Sequence, residues 1–274
     1  MPFISDGRIL IQHAFENEYA LPAFNVCSLE MVAGCIEAAE AERAPIMIQT
    51  APGDVKYLTP EAAAGIVKAL AERASVPVML HRDHGEDLEA VSRALRAGYS
   101  SAMFDGEEYP LEENIHRTKN LAAFAHAAGA SLEAAGGSFG GGEEGASSEV
   151  HLTDPEVAAR LFEEADADMV ACSVGSLHGQ KSTLDLERLE SIHTATKKPL
   201  VLHGGTGIPA DDLAEAVKLG VVKVNIGAGL QRAVLRAKQA DAEDAYDFYG
   251  RAREEVLEVA REKIRSTKAA GKAW

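Results

Sequence analysis

The feature that most constrains the fold is a regular alternation of short apolar runs with longer stretches rich in Ala, Glu and Leu. The apolar runs do not alternate between polar and apolar residues, which is typical of parallel strands covered on both faces. Some helical stretches have recognisable ends, including a left-handed cap predicted at Gly220 and a capping box with an early proline at 153–156. The predicted strands are 21–26, 45–50, 77–81, 100–105, 131–135, 168–173, 199–204 and 221–226.

Eight strands separated by helices predict an α/β protein with a single (β/α)8 TIM barrel. A doubly wound open sheet is the alternative, because periodicity does not report whether a sheet closes. A length of 274 residues suits one barrel, so we expect one domain over 1–274, with a helical extension at about 244–266 and a loose tail. The predicted helices include 29–43, 60–73, 86–97, 113–128, 155–166 and 210–219.

The charge balance excludes several classes of partner. The chain carries 43 acidic and 27 basic side chains, a formal net charge of −16, and it contains no Lys/Arg-rich run. Such a chain repels polyanions, so we expect neither nucleic acid nor a membrane as a partner. No signal peptide or long apolar span is recognisable, and the three cysteines lie in unrelated contexts. These features predict a cytoplasmic protein with reduced thiols.

Polar residues lie at or just after the ends of several predicted strands, where barrels of this kind carry their reactive groups. Three are histidines that follow different strands: His84, His178 and His203. Zinc accepts imidazole nitrogen, and three protein ligands leave a position for substrate. A single histidine is more often a hydrogen-bonded core residue, but three at strand ends favour a metal site. His81 is expected to be a packing or supporting group.

Glycine-rich segments adjoin two of these histidines, in "SLHGQ" (176–180) and "HGGTG" (203–207). Small residues allow backbone N–H groups to approach an anion, which favours a phosphate site beside the metal. A third segment, "GGSFGGGEEG" (136–145), contains Glu143. It is typical of a mobile lid that carries a carboxylate, and equally of a solvated acidic loop.

Together, "PAFNV", "LHRDH", the glycine-rich loop ending in Glu, "LHGGTG" and "KVNI" resemble the class II ketose-bisphosphate aldolases, in the tagatose- and fructose-1,6-bisphosphate branch. The resemblance covers residues 22 to about 265. It implies zinc-dependent, reversible cleavage of a ketose 1,6-bisphosphate to dihydroxyacetone phosphate and an aldehyde. Another divalent metal is an alternative to zinc, and a monovalent cation is a further expected cofactor. The family also implies a homodimer or homotetramer.

The resemblance also implies roles for individual residues. Asp83 would exchange the proton of the C4 hydroxyl, and Glu143 a proton on carbon. His84, His178 and His203 would hold the metal. Arg251 would reach a neighbouring subunit's site. Substrate and phosphate contacts would come from Gly179, Lys181, Gly204, Gly205, Thr206, Asn225, Ile226, Gly227, Ala228 and Arg251.

The sequence departs from the family pattern at several contacts. Ala135 replaces a carboxylate that can hold the metal, and Ala51 stands where a hydroxyl residue commonly meets the remote phosphate. Gly227 and Ala228 replace polar residues near the first phosphate. The alternatives are therefore the same chemistry on another phosphorylated or functionalised ketose, a barrel metallohydrolase, and a non-catalytic relative of the aldolases.

Overall fold

The structure is a computed structural model that describes residues 3–138, 151–239 and 242–274. Eight parallel strands pair in chain order and close into a barrel. Closure is made by β1 and β8, with Ala23 opposite Asn225. The predicted TIM barrel is confirmed, and the open-sheet alternative is wrong. The strands are β1 Leu21–Asn25, β2 Ile46–Thr50, β3 Val78–Gly85, β4 Ser101–Phe104, β5 Ser131–Ala135, β6 Met169–Ala171, β7 Leu200–Leu202 and β8 Val221–Ile226.

Strand β3 is longer than the sequence predicted, since it continues to Gly85 rather than ending at residue 81. Asp83 and His84 therefore lie within the strand instead of following it. The pairing of β3 with β4 shifts between Arg82 and Gly85, and His84 has a left-handed backbone with φ of 53°. A bulge of this kind redirects side chains and is common beside functional sites. It changes the direction in which Asp83 and His84 present their side chains at the barrel mouth.

The helices surround the barrel and agree with most of the predicted positions. Gly220, with φ of 83°, follows α8 as the sequence predicted. At 153–156 the N-cap is Asp154, which accepts from the backbone N–H of Glu156, while Thr153 accepts from the N–H of Ser173. The helices are α1 Gly7–Glu16, α2 Leu29–Glu42, α3 Pro60–Ala71, α4 Leu88–Ala97, α5 Leu111–Ala127, α6 Pro155–Glu163, α7 Leu186–Thr196, α8 Ala210–Lys218, α9 Ala228–Gln239 and α10 Ala245–Ser266. A short 3-10 helix covers Asp54–Lys56.

The C-terminal segment is ordered, although the sequence predicted a loose tail. Helix α10 packs against α2 and α9 outside the barrel. Beyond it, the backbone N–H of Gly271 donates to Glu42 O at 2.9 Å, and the Trp274 ring stacks on His13 with centroids 3.8 Å apart. Backbone hydrogen bonds and ring stacking hold this tail in place. Neither kind of contact can be inferred from amino-acid composition. Among the described residues, no helix has the length and apolar content needed to cross a membrane.

Candidate metal centre and active site

The structure brings the three predicted metal ligands together at the barrel mouth. His84 lies in the β3 bulge, His178 in the loop after β6, and His203 directly after β7. One nitrogen from each ring lies within 4.8 Å of the others, and all three side chains are buried. Ligand nitrogens around one tetrahedral zinc ion lie roughly 3.4 Å apart. The donor set therefore fits a divalent metal after small side-chain movements.

Two of the rings are oriented by carboxylates. Nδ1 of His84 lies 3.0 and 3.1 Å from the Asp105 oxygens, and Nε2 of His203 lies 3.1 Å from Oε1 of Glu133. A carboxylate that binds one imidazole nitrogen fixes the ring and presents the other nitrogen to a metal. Burial disfavours a charged His84, but Asp105 and Asp83 outweigh it and raise the pKa of His84 to about 10. The surroundings therefore favour a positive charge at this position.

Asp83 is held by three side-chain amides. Nδ2 of Asn25 and Nδ2 of Asn225 each donate to its carboxylate at 2.8 Å, and Nε2 of Gln49 donates at 3.2 Å. Burial opposes ionisation, but the positive charges of His84 and Lys223 outweigh it and hold the pKa of Asp83 well below its usual range. The result is an ionised carboxylate, fixed in direction, next to the histidine cluster.

Sequence reasoning missed Asn25 and Gln49. Both are buried in mainly apolar strands: Asn25 is the last residue of β1, and Gln49 is the last but one of β2. The signal that could have found them is a single amide at the carboxyl end of a strand that offers no polar face. Lys223 was missed as well; the signal for it is a lysine inside the mainly apolar run "VVKVNI", and it donates to Oε2 of Glu133 at 2.7 Å.

The predicted phosphate loops also converge. An added Cβ at Gly204, where φ is 70°, would lie 2.8 Å from Leu177 O, so the loops after β6 and β7 are in contact. Gly179 approaches Ala228, since its added Cβ would lie 3.5 Å from the Ala228 side chain. The Thr206 hydroxyl accepts from the backbone N–H of Gly229 at 3.2 Å. These contacts place both glycine loops beside the start of α9.

Four more of the predicted substrate-contacting residues lie near the start of α9. Ile226 ends β8, and Gly227 O accepts from Leu230 N at 2.9 Å, which starts α9. Gly205 packs against Asn225 O, and the exposed Lys181 follows the Gly179 loop.

One predicted residue lies away from this site, and another is outside the part of the chain that the structure describes. Arg251 lies on α10, outside the barrel, where its Nη2 is 2.6 Å from Asp247 Oδ2. Glu143 lies outside the described residues.

Comparison with known proteins gives consistent matches over the whole chain. The model of the family described as fructose-bisphosphate aldolase class-II matches residues 6–272. A probable fructose-bisphosphate aldolase of Bacillus subtilis is 35% identical over 97% of both chains. A 6-phospho-5-dehydro-2-deoxy-D-gluconate aldolase of Bacillus licheniformis is 36% identical over 91% of this chain and 87% of that one.

Among solved structures, the YdjI aldolase from Escherichia coli K12 superposes with a TM-score of 0.88 and 32% identity, covering 99% of this chain and 100% of that one. A putative fructose-1,6-bisphosphate aldolase from Coccidioides immitis superposes with a TM-score of 0.89 and 28% identity over 96% of both chains.

Proposed function

This chain belongs to the class II fructose-bisphosphate aldolase family, a family of lyases, and on that premise we propose that it cleaves a ketose phosphate to dihydroxyacetone phosphate and an aldehyde. The family is in general zinc-dependent. The observation that carries the proposal is the placement of an ionised, amide-held Asp83 beside three clustered histidines.

We assign the metal to His84, His178 and His203. A divalent cation bound there would polarise the ketose carbonyl and stabilise the negative charge that develops beside it during carbon–carbon cleavage. Asp105 and Glu133 would fix the rings of His84 and His203 in the orientation that binding needs. Zinc suits an all-nitrogen ligand set, although other divalent metals accept the same donors.

Asp83 is proposed to accept the C4 hydroxyl proton in cleavage and to return it in condensation. Its three amide donors leave the carboxylate ionised and restrict its rotation, as a positioned base requires. Glu143, on the glycine-rich loop, is proposed to exchange the proton on C3 of dihydroxyacetone phosphate. This assignment rests on the sequence motif.

The phosphate of the dihydroxyacetone half is proposed to bind at the start of α9. The dipole at a helix N-terminus favours an anion, and two glycine loops adjoin it. The contributing residues are Gly179, Lys181, Gly204, Gly205, Thr206, Ile226, Gly227 and Ala228, whereas Asn225 is proposed to contact the hydroxyls or the carbonyl region of the substrate.

The substrate we favour is a ketose 1,6-bisphosphate of the fructose or tagatose type. A different phosphorylated ketose is the second candidate, because Ala51 offers no hydroxyl at the remote end. Two relatives of nearly equal identity, one named for fructose bisphosphate and one for a phosphorylated deoxygluconate, also support that candidate. Comparing kcat/KM for fructose and tagatose bisphosphates with that for ketose 1-phosphates separates the two. Selectivity for a substrate with one phosphate would overturn the first.

The assay that tests the reaction class couples dihydroxyacetone phosphate formation to a reporting dehydrogenase, with and without a chelator. Chelator-sensitive production of this ketone is the expected result. Release of inorganic phosphate without carbon–carbon cleavage would instead indicate a hydrolase, and absence of any turnover would indicate a non-catalytic relative.

A homodimer or homotetramer is proposed, in which Arg251 clamps the remote phosphate in a neighbouring subunit. Subunit mixing tests it. In a mixed dimer of one Asp83→Ala subunit and one Arg251→Ala subunit, one of the two sites keeps both Asp83 and Arg251. Random mixing of equal amounts of the two variants therefore makes about a quarter of all sites complete. No recovery of activity would contradict a shared site.

The cytoplasmic location is also proposed, and the free thiols of all three cysteines support it.

A further inference from the structure

A charged network lies inside the barrel, next to His203. The side chains of Lys223 on β8 and Glu133 on β5 are both fully buried, with Nζ 2.7 Å from Oε2. The pair spans the barrel, since β5 and β8 lie on different parts of its wall. A fully buried ammonium group carries a large desolvation cost, and only a closely placed partner offsets it.

Glu133 binds more than the lysine. Its other oxygen, Oε1, lies 3.1 Å from Nε2 of His203. Because Oε2 is paired with the Lys223 ammonium group at 2.7 Å, Glu133 is a carboxylate that accepts hydrogen bonds, so Nε2 of His203 carries the hydrogen.

The remaining neighbour is His81. Its Nε2 lies 3.5 Å from Oε2 of Glu133, and its Nδ1 lies 2.8 Å from the Ser101 hydroxyl. Burial and the nearby Lys223 lower the pKa of His81 to about 3, so the ring is neutral and makes no ion pair. Lys223 is therefore the cation that balances Glu133.

Stability alone does not account for the ion pair between Lys223 and Glu133. Buried ion pairs can often be replaced by apolar residues of similar size without loss of stability. The feature that an apolar pair could not reproduce is the carboxylate that binds Nε2 of His203, which makes Nδ1 the ring nitrogen that would bind a metal.

We propose that Lys223 is a positioning residue for the metal centre: it holds Glu133 so that Oε1 fixes His203 in the tautomer whose Nδ1 binds the metal. The inference rests on the proposed metal site. Lys223 would thus affect metal affinity indirectly, through Glu133 and His203.

The variants for the test are Lys223→Met, Glu133→Gln and the double variant that carries both. Ser131→Ala is the control, because Ser131 is a buried barrel residue on the same strand as Glu133 whose hydroxyl donates to Ser101 instead. The measurements are zinc affinity by competition with a chelator and the thermal midpoint of the metal-free protein.

Each single variant breaks the ion pair and should lower the thermal midpoint. The double variant, with no unpaired charge, should recover the midpoint but bind zinc about 10- to 100-fold more weakly than wild type. Ser131→Ala should keep wild-type zinc affinity. Wild-type affinity in the double variant would show that the pair is only structural, and would overturn the proposal.

A measurement on the wild-type chain keeps the test decisive if the variants do not fold. Nitrogen-15 spectra of the imidazoles, with His203 assigned through His203→Gln, report which ring nitrogen carries the hydrogen. The expected result is hydrogen on Nε2, with Nδ1 shifted on zinc addition. Zinc bound through Nε2 overturns the role of Lys223 alone, whereas failure of wild type to bind stoichiometric metal overturns the proposed site as well.

Discussion

Replacing Asp83 with asparagine should remove the base and leave its surroundings almost intact. In the native structure, Oδ2 of Asp83 accepts from Asn25 and Gln49, while Oδ1 accepts from Asn225. An asparagine can keep the first two contacts with its oxygen and turn its amide nitrogen toward Asn225. Oδ1 of Asn225 is buried without a hydrogen-bond partner among the described residues, so an amide flip offers it as the acceptor.

The magnitude follows from that geometry. All three contacts survive in a neutral form, so the contribution of these hydrogen bonds to the free energy of unfolding should change by about 1 kcal/mol or less, the scale of one neutral hydrogen bond. Loss of a positioned base costs about 10²- to 10⁴-fold in rate, or roughly 3–5 kcal/mol in activation free energy. The rate effect therefore exceeds the stability effect several-fold, and the two can be measured separately.

Two assays separate the proton transfers. Cleavage measured through dihydroxyacetone phosphate should fall in Asp83→Asn by the stated factor. Exchange of the C3 hydrogen of dihydroxyacetone phosphate with deuterated solvent should stay within about tenfold of wild type, because we assign that proton to Glu143. The matched variant Glu143→Gln should show the reverse pattern, with exchange lost first.

The reasoning is refuted if Asp83→Asn cleaves substrate at a rate close to wild type. It is also refuted if exchange and cleavage fall by the same factor, because one residue would then serve both steps or the variant would have lost its metal. Metal content of each variant, measured by elemental analysis, identifies the last case.

Three further predictions concern the metal, the core and the tail. His178→Ala should abolish stoichiometric zinc binding while His193→Ala, at the opposite end of the barrel, retains it; equal loss in both would contradict the assigned ligands. Burial raises the pKa of Tyr99 to about 12, so the folded state favours the neutral phenol and stability should fall by up to about 3 kcal/mol as pH rises from roughly 10 to 12. Unfolding midpoints across that range should depend less on pH in Tyr99→Phe, and an unchanged dependence would count against the assignment. The chain's only tryptophan, Trp274, stacks on His13, so His13→Ala should cost about 1 kcal/mol and shift the tryptophan emission to longer wavelength, whereas unchanged emission would exclude the stacked tail.

Strand order and the histidine cluster could be predicted because they depend on patterns that one sequence carries. The barrel follows from eight apolar runs separated by helices, and reactive residues at strand ends then converge on one mouth. His84, His178 and His203 were recognised in this way, and the structure places one nitrogen of each within 4.8 Å of the others.

The groups around them could not be found from a pattern, since they depend on register. Asn25, Gln49 and Lys223 are polar residues in mainly apolar strands, and only the closed barrel determines which carboxylate each one meets. The bulge at His84 could not be predicted either, because the residue with the left-handed backbone is a histidine and not a glycine. The tail was misjudged because its contacts are made mainly by backbone groups.

The seam between β1 and β8 has a consequence for how the protein matures. Every residue of the histidine cluster precedes β8 in the chain, but one of the three amides on Asp83 comes from Asn225 within it. A nascent chain still lacking its last strand therefore already carries all the imidazoles, yet its base is bound from one side only. During synthesis, the third amide on Asp83 and the lysine that pairs with Glu133 therefore both arrive only when the final strand joins the first.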